Sequence, residues 1–352
     1  MAVERRSSLM ERNYAVDFMK FFAIFAVVVI HTFPADRVMG FFIIDTLSRF
    51  AVPFFFVASG FLFGVKIINY EKSFTYFKKY VVKIVKIYFL WLFFYTVYDV
   101  IIILFMQKNV TQELAKYFDG FTILNVLYYG GGPTSGYHLW FLTALIWGII
   151  FLFLFFRFNK INILLIISLV LNLIGLFGQS YSMFFKIPIS TRDAMFLGLF
   201  YITLGFFFAD HIKSTKLWRM DSKINLLFLC AFSLLQVAEG FFLDKALSGS
   251  HGEYFISTIF LTTFLFIFVL NNKQFGKDLW LTKIGAKSLS IYVIHVFIIN
   301  IANLAFNAMG IHLSKSFLWH LVYSLFVFII SYGVYNLFKY LRSKLRGRIK
   351  EA

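Results

Sequence analysis

Residues 14–33 read YAVDFMKFFAIFAVVVIHTF, an apolar run that carries three ionisable side chains, Asp17, Lys20 and His31. About 20 apolar residues suffice for an α-helix to cross the hydrocarbon core of a bilayer. The run follows basic residues, as a signal peptide does, but it contains charges and lacks a convincing small-x-small cleavage site. We therefore predict that it is a retained first membrane helix.

The composition of the whole chain is that of a membrane protein. Of 352 residues, 60% are hydrophobic and 14% are charged, and the mean hydropathy is +0.79. Soluble chains average about 45–50% apolar and about 25% charged residues. The apolar runs are continuous rather than alternating, which favours helices over barrel strands and excludes a water-soluble enzyme.

We predict an all-α, polytopic fold in the lipid bilayer, with about ten transmembrane helices in one domain over residues 1–352. The predicted spans are residues 14–33, 44–65, 84–106, 138–157, 161–178, 194–210, 224–242, 254–271, 286–308 and 315–338.

Lysine and arginine cluster in the loops on one side of this bundle. The chain has 34 Lys and Arg against 17 Asp and Glu, a net charge of +17. With the N-terminus inside, 26 of the 34 basic residues fall on inner segments, and cytoplasmic loops are enriched in such residues. These segments are residues 1–20, 66–86, 157–160, 213–223, 273–287 and 339–350. We predict cytoplasmic termini in a multi-pass plasma-membrane protein, and we interpret the charge as an orientation signal rather than nucleic-acid binding.

The ionisable residues of the first run share one side of the helix. Lys20 and His31 are 11 residues apart, so they lie about 20° apart on the helical wheel and about 16 Å apart along the axis. Asp17 falls within about 60° of Lys20. Ionisable residues inside membrane helices are costly and mark functional sites. A snorkelling lysine and a structural histidine are the alternatives, which the shared stripe disfavours.

Later runs contain further polar residues. In the second run, Pro53 frees a carbonyl group, which predicts a kink, and Ser59 precedes Gly60, which permits close packing. Packing alone would also explain these residues. The fourth run opens with Tyr137-His138-Leu139-Trp140 at the predicted outer surface. There His138 has a similar depth to His31, so both can line one cavity.

Two more runs carry candidates for substrate contact. Arg192 starts the sixth run and Glu239 lies near the outer end of the seventh, so the two can form an ion pair, structural or in contact with substrate. His295 follows Tyr292 in the ninth run, where function and packing are equally open. No residues have metal-ligand spacing, so no metal is expected. The single cysteine, Cys230, allows no intrachain disulfide.

These motifs resemble those of acyltransferase family 3, a family of integral membrane acyltransferases. The family's Asp-x-x-Arg element, with its basic residue ahead of a histidine, is similar to Asp17-Phe-Met-Lys20 and Lys20-x10-His31. Lysine replaces arginine here, which keeps the charge and loses bidentate geometry. The resemblance runs from about residue 12 to 340. Its other motifs are similar to Val52-Pro53-Phe-Phe-Phe-Val-Ala-Ser59-Gly60, Tyr137-His138-Leu-Trp140-Phe and Leu289-Ser-Ile-Tyr292-Val-Ile-His295.

The resemblance implies transfer of an acyl group, commonly acetyl, from cytoplasmic acyl-CoA to a hydroxyl of a cell-surface carbohydrate. CoA would be a substrate, and no permanently bound cofactor is expected. Lys20 would hold CoA phosphates, Asp17 would orient Lys20, and His31 would act as general base or carry the acyl group briefly. The candidates for contact with substrate or oxyanion are Ser59, His138, Trp140, Arg192, Glu239, Tyr292 and His295.

A transporter is the main alternative. This chain also resembles the membrane half of the serine racemase/transporter proteins of vancomycin resistance. The sixth-span pattern of those proteins is similar to Ser190-Thr191-Arg192-Asp193. There Arg192 and Glu239 would hold a zwitterionic, serine-like amino acid without CoA. An attached racemase domain would favour this hypothesis; the sequence ends at Ala352 without one, so we expect the enzyme. A component of polysaccharide export or modification is a third hypothesis.

Overall fold

The computed structural model describes residues 12–34, 39–211, 220–247, 249, 252–310 and 316–351. Over these residues the chain forms thirteen α-helices and no strand. They are α1 (Tyr14–Thr32), α2 (Met39–Ser48), α3 (Ala51–Ile67), α4 (Ser73–Met106), α5 (Val110–Asp119), α6 (Trp140–Arg157), α7 (Ile161–Gly175), α8 (Leu199–His211), α9 (Ser222–Phe241), α10 (Ile256–Asn271), α11 (Trp280–Gly285), α12 (Ser288–Ala308) and α13 (Phe317–Glu351).

The prediction of an all-α, polytopic membrane protein is confirmed. In the described part of the chain, nine helical stretches are long and apolar enough to cross a membrane, and α10 is a shorter apolar helix of 16 residues. The cytoplasmic location of the termini stays a prediction. Several basic residues used for it lie outside the described residues or have side chains that are not described: Arg5, Arg6, Lys213, Lys216, Arg219, Arg346, Arg348 and Lys350.

The second membrane-crossing stretch is interrupted. The α2 helix ends at Ser48 and α3 begins at Ala51, with Arg49 and Phe50 in the turn between them. The predicted kink is therefore a break ahead of Pro53, which lies in the first turn of α3. Proline is tolerated in a first turn because its missing N–H would have no helical partner there. The break places Arg49 inside the bundle, where it is buried.

Helices α3 and α8 pack with their backbones in close contact. A Cβ atom at Gly60 would overlap the carbonyl oxygen of Ile202, and one at Gly205 would overlap that of Val57. Small residues allow such approach between membrane helices. This contact holds α3 tightly against α8.

The first helix contacts α2, α3, α10, α11, α12 and α13. Asn13 caps its N-terminus by accepting a hydrogen bond from the Val16 N–H at 3.2 Å. Gly285 of α11 lies against the Asp17 carbonyl, where a Cβ atom would overlap it. The polar stripe of α1 therefore faces other helices, as an ionisable stripe in a membrane protein must.

The segment between α4 and α6 folds back onto α4 through a glycine turn. Gly130, Gly131 and Gly132 have φ angles of +80°, +80° and +55°, which other residues rarely adopt. The Gly131 N–H donates to the Tyr88 hydroxyl at 3.2 Å, and the Ser135 N–H donates to Asp99 Oδ2 at 2.8 Å. These anchors position the 3₁₀ turn Tyr137–Leu139, which carries His138.

Candidate active site

At the N-terminal end of α1, one carboxylate holds two cations. Asp17 Oδ2 lies 2.8 Å from Arg12 Nη2, and Asp17 Oδ1 lies 3.5 Å from Lys20 Nζ. We call these three residues the Asp17 cluster. With two cations and one carboxylate it retains a net positive charge, which is available to an anionic ligand.

Lys20 also lines a cavity of about 170 Å³ between α1, α3, α4, α6 and α12. Three sequence-predicted site residues meet in this cavity: Lys20, Ser59 and Tyr292. Lys83 of α4 is a second lysine in the wall. The remaining wall is mostly apolar and is formed by Val27, Val52, Phe55, Tyr80, Ile84, Ile87, Phe141, Leu142, Leu145, Ser288 and Leu289. The cavity therefore combines two cations with a largely apolar interior.

At the other end of α1, three imidazoles from three elements come together. The ring of His31 lies 5.3 Å from that of His295 on α12, and the ring of His295 lies 5.1 Å from that of His138. The Tyr137 hydroxyl lies 3.1 Å from His31 Nδ1. We call His31, His138 and His295 the histidine cluster; the structure thus brings together three predicted site residues that are far apart in sequence.

Several nitrogens of this cluster have no protein hydrogen bond. His295 Nδ1 donates to the Tyr292 carbonyl at 2.6 Å, but its Nε2 and both ring nitrogens of His138 are buried without a partner in the described structure. A buried polar group without a partner costs about 1–3 kcal/mol, so such groups mark places that bind water or a ligand. The cluster can therefore accept a polar group between the rings.

Tyr292 connects the cavity to the histidine cluster. Its ring lines the cavity and lies 5.2 Å from the ring of His138. Its hydroxyl donates a hydrogen bond to the His138 carbonyl. That proton is already used within the protein, which disfavours the predicted role of Tyr292 as an oxyanion donor.

Arg192 lies beside the cluster, with its guanidinium 5.4 Å from the centre of the Trp140 ring. The predicted pair with Glu239 is wrong, because Arg192 Nη1 bonds Glu253 Oε1 at 3.0 Å. Glu239 instead accepts the N–H groups of Ile256 and Ser257, each at 2.8 Å. A carboxylate is stabilised at a helix N-terminus by such unpaired N–H groups of the first turn. Glu239 therefore holds α10 in place, away from the cavity.

Glu253 belongs to a larger, partly buried network, which we call the Arg49 cluster: Asp45, Arg49, Arg192 and Glu253. Arg49 Nη2 lies 2.9 Å from Asp45 Oδ2, and Arg49 Nη1 lies 2.6 Å from Glu253 Oε2. Burial alone would raise the pKa of Glu253, but the Arg49 and Arg192 guanidiniums hold that pKa below its usual 4.5. Among these four residues, two cations and two carboxylates alternate, so their charges balance.

Several of these residues had not been singled out in the sequence. Asp45 and Arg49 lie in the second predicted span, and the rule that flagged Lys20 could have flagged them. Lys83 was counted only as a basic inner residue, and Tyr137 was named only as part of the motif around His138. No sequence pattern marked Glu253, because it lies in the loop ahead of α10 rather than within a predicted span. No three His, Cys, Asp or Glu side chains of the described chain are placed to hold a metal.

Comparison with known protein families identifies the class of protein. A profile of the Acyltransferase domain of acyltransferase family 3 matches residues 13–336. The chain therefore belongs to this family of membrane acyltransferases, and the family resemblance inferred from the motifs is confirmed.

Two curated relatives, both from Enterococcus faecalis and both named amino-acid racemase, are 27% identical to the chain. One match covers 316 residues, 83% of this chain and 42% of the relative; the other covers 57% of this chain and 28% of the relative. The chain thus spans less than half the length of these relatives. No solved structure matches the chain.

Proposed function

We propose that the protein transfers an acyl group from acyl-CoA to a hydroxyl of a carbohydrate acceptor, with His31 as the general base. The observation that carries this proposal is the route along α1. A cavity with Lys20 and Lys83 in its wall extends to Tyr292, whose ring adjoins the histidine cluster. A donor with an anionic head and an uncharged arm matches this order of groups.

The donor side of the proposal rests on charge. Lys20 and Lys83 would bind the CoA phosphates as point charges, and Asp17 would hold Lys20 in position. The apolar wall would take the uncharged arm and a short acyl group such as acetyl. If the basic loops are cytoplasmic, this end of the cavity faces the cell's acyl-CoA.

The reaction at the histidine cluster is an acyl substitution. His31 takes the proton of the acceptor hydroxyl while the oxygen attacks the thioester carbonyl carbon. The C–O bond forms, the C–S bond breaks, and CoA leaves with a proton returned by His31. The unpartnered ring nitrogens of His138 favour this residue over Tyr292 as a donor to the oxyanion. The Nε2 of His295 can only accept, because its Nδ1 carries the proton; the Ser59 hydroxyl is a further candidate from the cavity wall.

The acceptor would approach from the side of Trp140 and Arg192. A hydroxyl on a cell-surface glycan at the plasma membrane fits a base at the end of α1 remote from the Asp17 cluster. The protein would then modify envelope polysaccharide.

The test is CoA release by the purified protein in liposomes supplied with acetyl-CoA and a bacterial cell-wall glycan extract. General-base catalysis contributes about 10²–10⁴-fold, so we expect His31→Gln to lower turnover by that factor. His211→Gln is the matched control, because His211 ends α8 and lines a different pocket. Full turnover by folded His31→Gln protein would contradict the proposal.

An amino-acid transporter is the second candidate, favoured by the two relatives named amino-acid racemase. The charged pair that a zwitterion would have to open is Arg192 with Glu253, since Glu239 is used by α10. The same liposomes decide between the candidates. Uptake of labelled serine without CoA release would favour the transporter, and CoA release that requires His31 would favour the enzyme.

A further inference from the structure

Tyr137 contacts His31 in a way that the proposed reaction leaves unexplained. Its hydroxyl oxygen lies 3.1 Å from His31 Nδ1, and the two rings meet edge to face at 5.3 Å. Tyr137 is 44% exposed, so buried packing does not account for its hydroxyl. The contact joins the 3₁₀ turn before α6 to the end of α1.

The direction of this hydrogen bond decides whether His31 can be a base. A neutral imidazole carries one proton, on Nδ1 or on Nε2. If the Tyr137 hydroxyl donates to Nδ1, then Nε2 carries the proton and cannot take another. If Nδ1–H donates to the Tyr137 oxygen, Nε2 keeps its free electron pair. No described residue forms a hydrogen bond to His31 Nε2, so that nitrogen is available to a substrate.

We propose that Tyr137 is a positioning residue that holds His31 in the Nδ1–H tautomer, with Nε2 as the reactive nitrogen. The catalytic part of this inference rests on the proposed function. The acceptor proton moves to Nε2, Nδ1–H stays bonded to Tyr137, and Nε2 then returns the proton to the leaving sulfur.

In Ser-His-Asp enzymes a carboxylate fills the equivalent position and fixes the tautomer. A phenol is neutral, so it orients the ring without adding a full charge to stabilise the imidazolium. The exposed side of Tyr137 leaves its own O–H free to donate to water or to the acceptor.

The experiment is ¹⁵N NMR of the full chain, labelled with ¹⁵N-histidine and reconstituted in lipid, at a pH where the histidines are neutral. The spectrum of His31→Gln assigns the His31 signals. His320 is an internal reference, because its Nδ1 lies 2.8 Å from the Thr32 carbonyl and must carry the proton. We expect protonated Nδ1 at His31 in the wild type, and in Tyr137→Phe a shift of the proton towards Nε2 with His320 unchanged.

Turnover provides the second readout. We expect Tyr137→Phe to lower kcat for CoA release by about 10- to 100-fold, a part of the general-base contribution, without changing KM for acetyl-CoA. Tyr129→Phe is the matched control, since no described residue forms a hydrogen bond to the Tyr129 hydroxyl and its ring contacts Tyr128. That variant should keep both the tautomer and the rate.

Protonated Nε2 at His31 in the wild type, or the same tautomer in Tyr137→Phe, would overturn the inference whatever the transfer rate. If the tautomer shifts as expected but His31→Gln releases CoA at the wild-type rate, the positioning contact is supported and the proposed function is wrong.

Discussion

The Asp17 cluster and the Arg49 cluster contain the same kinds of side chain and differ in their balance. In the first, two cations share one carboxylate beside a cavity. In the second, two cations alternate with two carboxylates, and Arg49 is only 8% exposed. In the second cluster each charge has a partner of opposite sign, and its two buried members, Asp45 and Arg49, hold the α2 end inside the bundle. An unbalanced cluster at a cavity retains charge for a ligand.

The strongest test of this comparison is Arg49→Met. Removing one partner of a buried ion pair costs about 3–5 kcal/mol, because the remaining charge is left uncompensated. Here the buried Asp45 would lose its pairing with Arg49, while Glu253 would keep Arg192, so we expect a large fall in the free energy of unfolding, measured by denaturant titration in detergent.

The matched control for Arg49→Met is Arg12→Met in the Asp17 cluster. The Arg12 side chain is 56% exposed, and exposed ion pairs contribute about 0–1 kcal/mol. Similar losses in both variants would mean that the two clusters do not differ in structural role.

The next largest effect is expected at the contact between α3 and α8, which holds the helix that follows Arg49. Gly205→Ala would push a methyl group into the Val57 carbonyl, and overpacking costs about 1–3 kcal/mol. Gly333→Ala in α13 is the control, because nothing lies within 4 Å of its added Cβ atom. Thermal unfolding should separate the two variants; if both are neutral, α3 is not held as tightly as the geometry indicates.

Lys20→Met tests whether the positive charge of the Asp17 cluster binds a ligand. Hydrogen bonds to charged groups contribute about 1.5–3 kcal/mol, so we expect acetyl-CoA binding to weaken by about 10- to 100-fold with little change in unfolding. Lys86→Met is the control, since Lys86 is exposed on α4 and does not line the cavity. Calorimetric titration measures both. Unfolding of Lys20→Met with unchanged binding by the folded fraction would give Lys20 a structural role instead.

The smallest effect on the free energy of unfolding is expected when the pH is lowered. The pKa of Glu253 is lower in the folded protein than its usual 4.5, so the unfolded chain takes up a proton first as the pH falls. Its stabilising contribution is therefore fully present above pH 4.5 and is lost as the pH falls towards the folded pKa. Glu253→Gln should remove this part of the acid dependence of unfolding, whereas an unchanged pH profile would mean that Glu253 carries no such linkage.

The sequence predicted the fold class and the ends of α1 well, because both depend on local patterns. Long apolar runs indicate membrane helices, and the spacing of Lys20 and His31 places them on one side of a helix. The sequence placed His31 and His138 at a similar depth, and the structure joins the two rings through His295. In contrast, the sequence could not show which glutamate pairs with Arg192. Glu239 and Glu253 both lie near the start of α10 at similar depths, and only the three-dimensional fold brings Glu253 next to Arg192.

The broken second span shows another limit of sequence patterns. By hydropathy, residues 44–65 form one apolar run, because its two charged residues, Asp45 and Arg49, are outnumbered by apolar residues. Once these two charges pair across one helical turn and reach Glu253, the chain can turn at Arg49 inside the bundle. The partner that makes the turn possible is 204 residues away along the chain, and no local pattern reports it.

The short helix α10 has a consequence for the surrounding membrane. Its 16 residues span about 24 Å, less than the hydrocarbon thickness of about 30 Å. A helix of that length facing lipid would force the bilayer to thin around it. Here α9 lies against α10 with stacked rings, Phe228 on Phe264 and Phe232 on Phe260, while α1 and α3 also contact α10. The lipid tails around this part of the protein therefore contact the longer helix α9. Neighbouring helices, rather than a thinner bilayer, compensate for the short length of α10.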